Sequence, residues 1–196
     1  MTGSAQVDSE SGEHKNMTKE KLSSRQFMLI IDGPSCGGKS TVSKVLLEQY
    51  GGIFNAESDQ IKWLISDYTP DTHKGIVYEM TIETIRGALK NNLSVLKQGM
   101  LFKPERLVQI AGEFSVPLFV ANISAPMEVL EKRFSERIER KKNGARIANT
   151  DHARFSEMNN MYLATKIDSQ LEFDSSLQSP EEISRAISEY IKANLH

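Results

Sequence analysis

Short apolar blocks and helical stripes alternate along this chain from Phe27 to its last residues, separated by polar turn segments. Phe27 to Ile31 is a continuous apolar run, the mark of a strand buried on both faces. Val42, Val45, Leu46 and Tyr50 then share one side of a helix. Ile53 to Ala56 predicts a short second strand, and Ser58 or Asp59 is placed to cap a helix through Trp63 and Leu64 that Pro70 breaks. Tyr78, Ile82, Ile85 and Leu89 recur with helical spacing and predict a helix from about His73 to Leu89. Leu93 to Gln98 predicts a third strand, and Pro104 opens a helix whose Leu107, Ile110, Ala111 and Phe114 share a face. Leu118 to Ile123 is the next buried strand, followed from Pro126 by a long charged helix ending near Lys142 at Asn143-Gly144. Thr150 or Asp151 caps another helix through Tyr162. A weak strand near Leu171 to Phe173 precedes a helix from Pro180 with Ile183, Ile187, Tyr190 and Ile191 on one side. Such alternation predicts an α/β three-layer sandwich: a five-stranded parallel sheet, helices on both faces, and a ligand crevice at the carboxyl ends of the strands.

The link between the first strand and the first helix reads Gly33-Pro34-Ser35-Cys36-Gly37-Gly38-Lys39-Ser40-Thr41, which fits the Walker A pattern G-x-x-x-x-G-K-[ST]. A helix begins there, so its unpaired first-turn amides and the positive end of its dipole converge on the loop and predict a site for a polyphosphate. Gly33, Gly37 and Gly38 are expected to let the backbone wrap closely around it. Lys39 is expected to reach the β and γ phosphates, and the Ser40 hydroxyl to ligate Mg²⁺. ATP and Mg²⁺ are therefore the expected cofactors, with residues 33 to 41 as the binding loop.

Composition narrows the remaining possibilities. The chain has 196 residues, 39% of them hydrophobic and 26% charged, enough for one α/β domain. A net charge of -2 supplies no basic field for nucleic acid or an anionic membrane. No apolar run reaches the roughly 18 residues of a membrane span. The single Cys, Cys36, has no partner for an intramolecular disulfide, consistent with a cytoplasmic setting. Residues 1 to 25, rich in Ser, Glu, Lys and Gly, are expected to form a disordered tail before a domain over 26–196.

Several further segments resemble those of small P-loop kinases, the group that holds nucleotide, shikimate and gluconate kinases and zeta-toxin-like proteins. Asp32-Gly33-Pro34 ahead of the loop is similar to the opening of cytidylate kinases, and Ser58-Asp59-Gln60-Ile61-Lys62 to a Ser-Asp-x-x-Arg stretch of zeta-toxin-like kinases. Arg133 and Arg137 resemble the arginine pair that begins the lid of adenylate-kinase-like enzymes. Asp174-Ser175-Ser176, with Ser179-Pro180-Glu181-Glu182, resembles their closing segment near adenine. The resemblance implies an ATP-dependent phosphotransferase moving the γ-phosphate of Mg-ATP to a small-molecule hydroxyl or phosphate acceptor, with Arg133 stacked on the base, Arg137 at the transferring phosphate and a helical lid over about 137–154. One departure stands out. Where many relatives end the third strand in Asp-Gly, this chain has Lys97-Gln98-Gly99, which leaves Asp59 and Asp32 as substitutes for the metal-side carboxylate.

Asp59, after the second strand, is expected either to accept the proton of an acceptor hydroxyl or merely to cap its helix. Arg140, Lys141, Arg146 and Arg154 are further lid cations, and Trp63, Tyr68, His73, Tyr78 and Arg86 are candidates for the acceptor pocket. The alternatives are a nucleotide-binding regulatory or toxin-like ATPase with slow hydrolysis, and a GTPase. The latter rests on Thr165-Lys166-Ile167-Asp168, which fits [NT]-K-x-D but follows a helix.

Overall fold

The computed structural model of the chain describes residues 19–99, 104–143 and 151–195. Its order is β1 (Met28–Asp32), α1 (Lys39–Gln49), β2 (Ile53–Asn55), α2 (Ser58–Lys62), α3 (Pro70–Lys90), β3 (Ser94–Gln98), α4 (Pro104–Glu113), β4 (Leu118–Ser124), α5 (Met127–Lys142), α6 (His152–Thr165), β5 (Leu171–Asp174) and α7 (Pro180–Asn194). The strands form one sheet in the order β2-β3-β1-β4-β5, and every pairing is parallel. Because β1 pairs with β3 on one side and β4 on the other, the strand order reverses at β1. A crevice opens at the carboxyl end of such a switch point.

Alternation along the strands feeds two cores. Leu29 and Ile31 face α1 and α7, packing with Val42, Leu46, Ile183, Ile187 and Ile191. Met28 and Ile30 face α3 and α4, packing with Ile82, Ile85, Leu89, Leu107 and Ile110. A third cluster, Leu130, Phe134 and Phe155, joins α5 to α6 and packs against Cys36 of the β1–α1 loop.

Three local expectations change. Pro70 does not end a helix but occupies the first turn of α3, where its missing N–H costs no hydrogen bond. The residue preceding α2 is Glu57, so Ser58 and Asp59 lie inside the first turn and neither caps it. The tail expected over 1–25 meets the body at Lys19. Lys19 Nζ donates to Leu47 O at 2.7 Å, the Gly51 amide to Glu20 O at 2.9 Å, and Leu22 is buried in the α1/α7 core. Composition hid this anchor because one apolar side chain and a two-residue backbone pairing barely register in a polar segment. Residues 1–18 of that tail, and Gly144 and Arg146 of the expected lid, lie outside the described residues. No helix among the described residues is long and apolar enough to cross a membrane.

Candidate active site

The β1–α1 loop turns inside the crevice, and its glycines serve different ends. Gly33, at φ 146°, runs so close to β4 that a Cβ there would stand 2.0 Å from Ile123 O. Gly37 is held by the same carbonyl, 2.7 Å from where its Cβ would be. Both glycines are thus required by the sheet behind the loop, rather than only by a ligand in front of it. Gly38 is different: at φ 97° it turns the chain into α1, and a Cβ there would meet only the Ser175 side chain, at an ordinary contact distance of 3.5 Å.

Lys39 folds back over the loop and donates to Gly33 O at 2.8 Å and Pro34 O at 2.6 Å. Burial pushes its ammonium down to about 8; Asp32 opposes the shift, and Arg137 and Lys97 add to it. Asp32, at the end of β1, is 2% exposed. Burial raises its proton affinity, against the opposing pull of the Gly33 amide, Lys39, the Ile167 amide and Lys166. Its Oδ1 is buried with no hydrogen-bond partner.

Two braces fix the loop. From α6, Asn159 Oδ1 accepts the Ser35 amide at 2.8 Å, and Tyr162 donates to Asn122 Oδ1 on β4 at 2.7 Å. From α5, Arg133 donates to Cys36 O at 3.3 Å, Ser175 Oγ at 2.8 Å and Ser175 O at 2.7 Å. Ser175 in turn donates to Gly37 O at 2.8 Å. The Arg133 fork therefore ties the loop to the turn after β5.

A cleft of about 580 Å³ lies in front of these groups. Ser40, Thr41 and Gly38 line it from the loop, and Arg133, Arg137 and Arg140 from α5. Glu57, Asp59, Gln60 and Trp63 form the β2–α2 wall, while Ser175 and Gln178 close the end by β5. Asp59 pairs with Lys62 one turn along α2. Arg137 and Arg140 have no hydrogen bond or ion pair among the described residues. The predicted loop, Asp59, Arg133, Arg137 and Trp63 are thus brought together around one space.

Other candidates lie elsewhere. Arg86 is engaged with Glu113 on the α3/α4 surface, and Arg154 with Glu157 one turn away. Tyr78 packs half-buried on the α3/α4 core beneath Arg106, and His73 accepts the Thr69 amide beside Tyr68. Lys141 does not join the cleft lining of its helix-mates. Lys166 of the suspected guanine-reading motif is bound to Glu172 at 2.8 Å. Sequence reasoning overlooked Glu57, Gln60, Gln178 and the brace from Asn159. Only their positions after β2, after β5 and on α6 bring them to the site, and no motif marks them.

The oxygens present suit Mg²⁺. That ion takes hard oxygen ligands, commonly one or two carboxylates completed by phosphates and water. The unpartnered Asp32 Oδ1 and the Ser40 hydroxyl are such donors. Among the described residues no cluster of three or more His, Cys, Asp and Glu forms an all-protein metal cage.

No family model matches the chain, and no curated protein does. Solved structures do. A Chloroflexus aurantiacus protein described as a candidate kinase superposes with TM-score 0.65 at 17% identity, over 87% of this chain and 99% of its own. A sugar kinase from Janibacter sp. HTCC2649 gives 0.58 at 16% identity, over 86% and 96%. Shikimate kinase from Aquifex aeolicus gives 0.56 at 15% identity, over 86% and 99%. The fold is that of the small P-loop kinases.

Proposed function

We propose that the chain is an ATP-dependent phosphotransferase that moves the γ-phosphoryl group of ATP to a hydroxyl of a small molecule. The observation that carries this reading is the facing of the two cleft walls: an amide-rich loop with Ser40, over which Lys39 folds back, on one side, and the Asp59 carboxylate on the other. Phosphoryl transfer asks little of a protein beyond alignment and charge neutralisation, and those walls offer both.

In this reading the loop amides of residues 33–41 bind the β and γ phosphates, and Lys39 leaves its own carbonyls to reach them. When bound, Mg²⁺ neutralises charge between the two phosphates, and Ser40 and Asp32 would hold it. The base of ATP lies toward Ser175 and Gln178, against the flat face of Arg133, whose edge is already engaged by the loop. Arg137, beside Lys39 and otherwise unbound, meets the transferring group. Asp59 accepts the acceptor proton as the bond from the γ-phosphorus to the bridging oxygen breaks and the new P–O bond forms. Glu57, Gln60 and Trp63 offer hydrogen-bonding groups and an aromatic face to a hydroxyl-bearing acceptor. The sugar and shikimate kinases among the structural neighbours support an acceptor of that kind.

The test is to incubate ATP labelled in its γ-phosphate and Mg²⁺ with pooled small metabolites. Wild type is expected to yield a labelled organic product. Asp59→Asn is expected to keep nucleotide affinity and lose about 10² to 10⁴ in transfer rate. Release of free phosphate alone by wild type would favour a slow ATPase instead, and equal transfer by the variant would remove Asp59 from the chemistry.

A further inference from the structure

Lys97, next to last in β3, has 7% of its surface exposed, and among the described residues no other Lys or Arg is as deeply buried. Its Nζ donates to Gln98 O at 2.7 Å. An ammonium carries three donors, so two remain unused, and among the described residues Lys97 makes no ion pair within 4.0 Å. A structural lysine this far from water is normally paired, because a buried charge without close compensation costs several kcal/mol. The surrounding acids attract it from longer range only. Asp59, Glu57 and Asp32 pull its proton affinity up, yet desolvation prevails and the value falls to about 8.

Its position explains what those donors can meet. Strand β3 lies between β1, which carries the phosphate loop, and β2, which leads to Asp59. Lys97 pairs with Ile30, so it occupies the same sheet face as Asp32 two residues further along β1. On its other side the Ala56 amide donates to Leu96 O at 2.8 Å, and Glu57 and Asp59 follow at once. Lys97 therefore lies between the Lys39–Asp32 pair and the Asp59–Glu57 pair, and its charge is felt at Lys39 as well as by the acids.

We propose that Lys97 is a second phosphoryl-binding ammonium, whose two unused donors bind oxygens of the transferring group from the acceptor side while Lys39 binds from the nucleotide side. This rests on the phosphotransferase reading above. As the bond to the bridging oxygen breaks and the bond to the acceptor oxygen forms, charge spreads over the three remaining oxygens of the phosphoryl group. A cation waiting there with its hydration already removed binds that arrangement better than it binds ADP, and such a difference raises the rate of the chemical step. Lys97 keeps its three protons throughout, and the acceptor proton goes to Asp59.

The test compares calorimetric binding of MgADP with binding of MgADP plus aluminium fluoride, a stand-in for the transferring phosphoryl group, in wild type, Lys97→Met and Lys97→Arg. Wild type and Lys97→Met are expected to bind MgADP alike. Wild type tightens when fluoroaluminate is present; Lys97→Met loses about 10²-fold of that gain, and Lys97→Arg recovers part of it. Full retention of the gain by Lys97→Met, or no gain in wild type, overturns the proposal and leaves nucleotide binding intact. Failure of wild type to bind MgADP strikes the phosphotransferase reading itself, and this proposal with it. Wild type labelled with ¹⁵N-lysine gives a readout that needs no folded Lys97 variant. Two ammonium signals, one of them lost in Lys39→Arg, should respond to fluoroaluminate, and a response from Lys39 alone overturns the proposal.

Discussion

Lys39 and Lys97 are both held by burial at proton affinities near 8, against about 10.5 in an unfolded chain. Below pH 8 both states carry the protons, and folding bears the full cost of enclosing the charges. Between pH 8 and 10.5 the unfolded chain binds more protons than the folded one, so each lysine makes stability rise with pH. The shift corresponds to up to about 3 kcal/mol per lysine. Urea unfolding at pH 7.5 and 10.5 is expected to show wild type gaining on Lys97→Met by up to that amount; a difference independent of pH would contradict a buried, charged Lys97. Lys39 was legible in the sequence because its spacing from Gly33 is fixed by loop geometry. Lys97 registered there only as the absence of an acid, since its burial follows from which strands flank β3. Asp59 was ambiguous between cap and base, and Glu57 as the residue preceding α2 resolves the capping half of that ambiguity.

At the scale of elements, the loop depends on β4 as much as on its own sequence. Gly33→Ala would drive a methyl group into Ile123 O, and backbone contacts of that kind do not relax by side-chain rotation. The expected result is a loss on the order of 3 kcal/mol by chemical denaturation, together with loss of nucleotide affinity. A variant with wild-type stability would contradict the packing described. Helical spacing puts Arg133, Arg137, Arg140 and Lys141 within about one face of α5; the three arginines line the cleft, and Lys141 does not join them. It did not reveal that Arg133 is committed to Cys36 and Ser175, because those partners arrive from β1 and β5, 97 and 42 residues away along the chain. Pro70 was misread for a related reason: a proline marks a helix boundary, but its residue type alone does not say which side the helix lies on.

For the whole molecule, the alternation of strands and helices was enough to predict a parallel sheet with helices on both faces, since parallel strands need crossover connections. The order β2-β3-β1-β4-β5 was not written in that alternation. It depends on which strand edges the helical crossovers leave free, and it alone brings the ends of β2, β3 and β1 together as Asp59, Lys97 and Asp32. The superposition on solved kinase structures at 15 to 17% identity has the same origin: apolar periodicity can set the frame while most residues differ. All the chemistry argued for this frame requires that the loop capture a polyphosphate. Calorimetric titration of wild type and Lys39→Met with MgATP tests that most directly. Saturable binding by wild type, weakened at least about tenfold in Lys39→Met, is the predicted result; no binding by wild type, or equal binding by both, would contradict it.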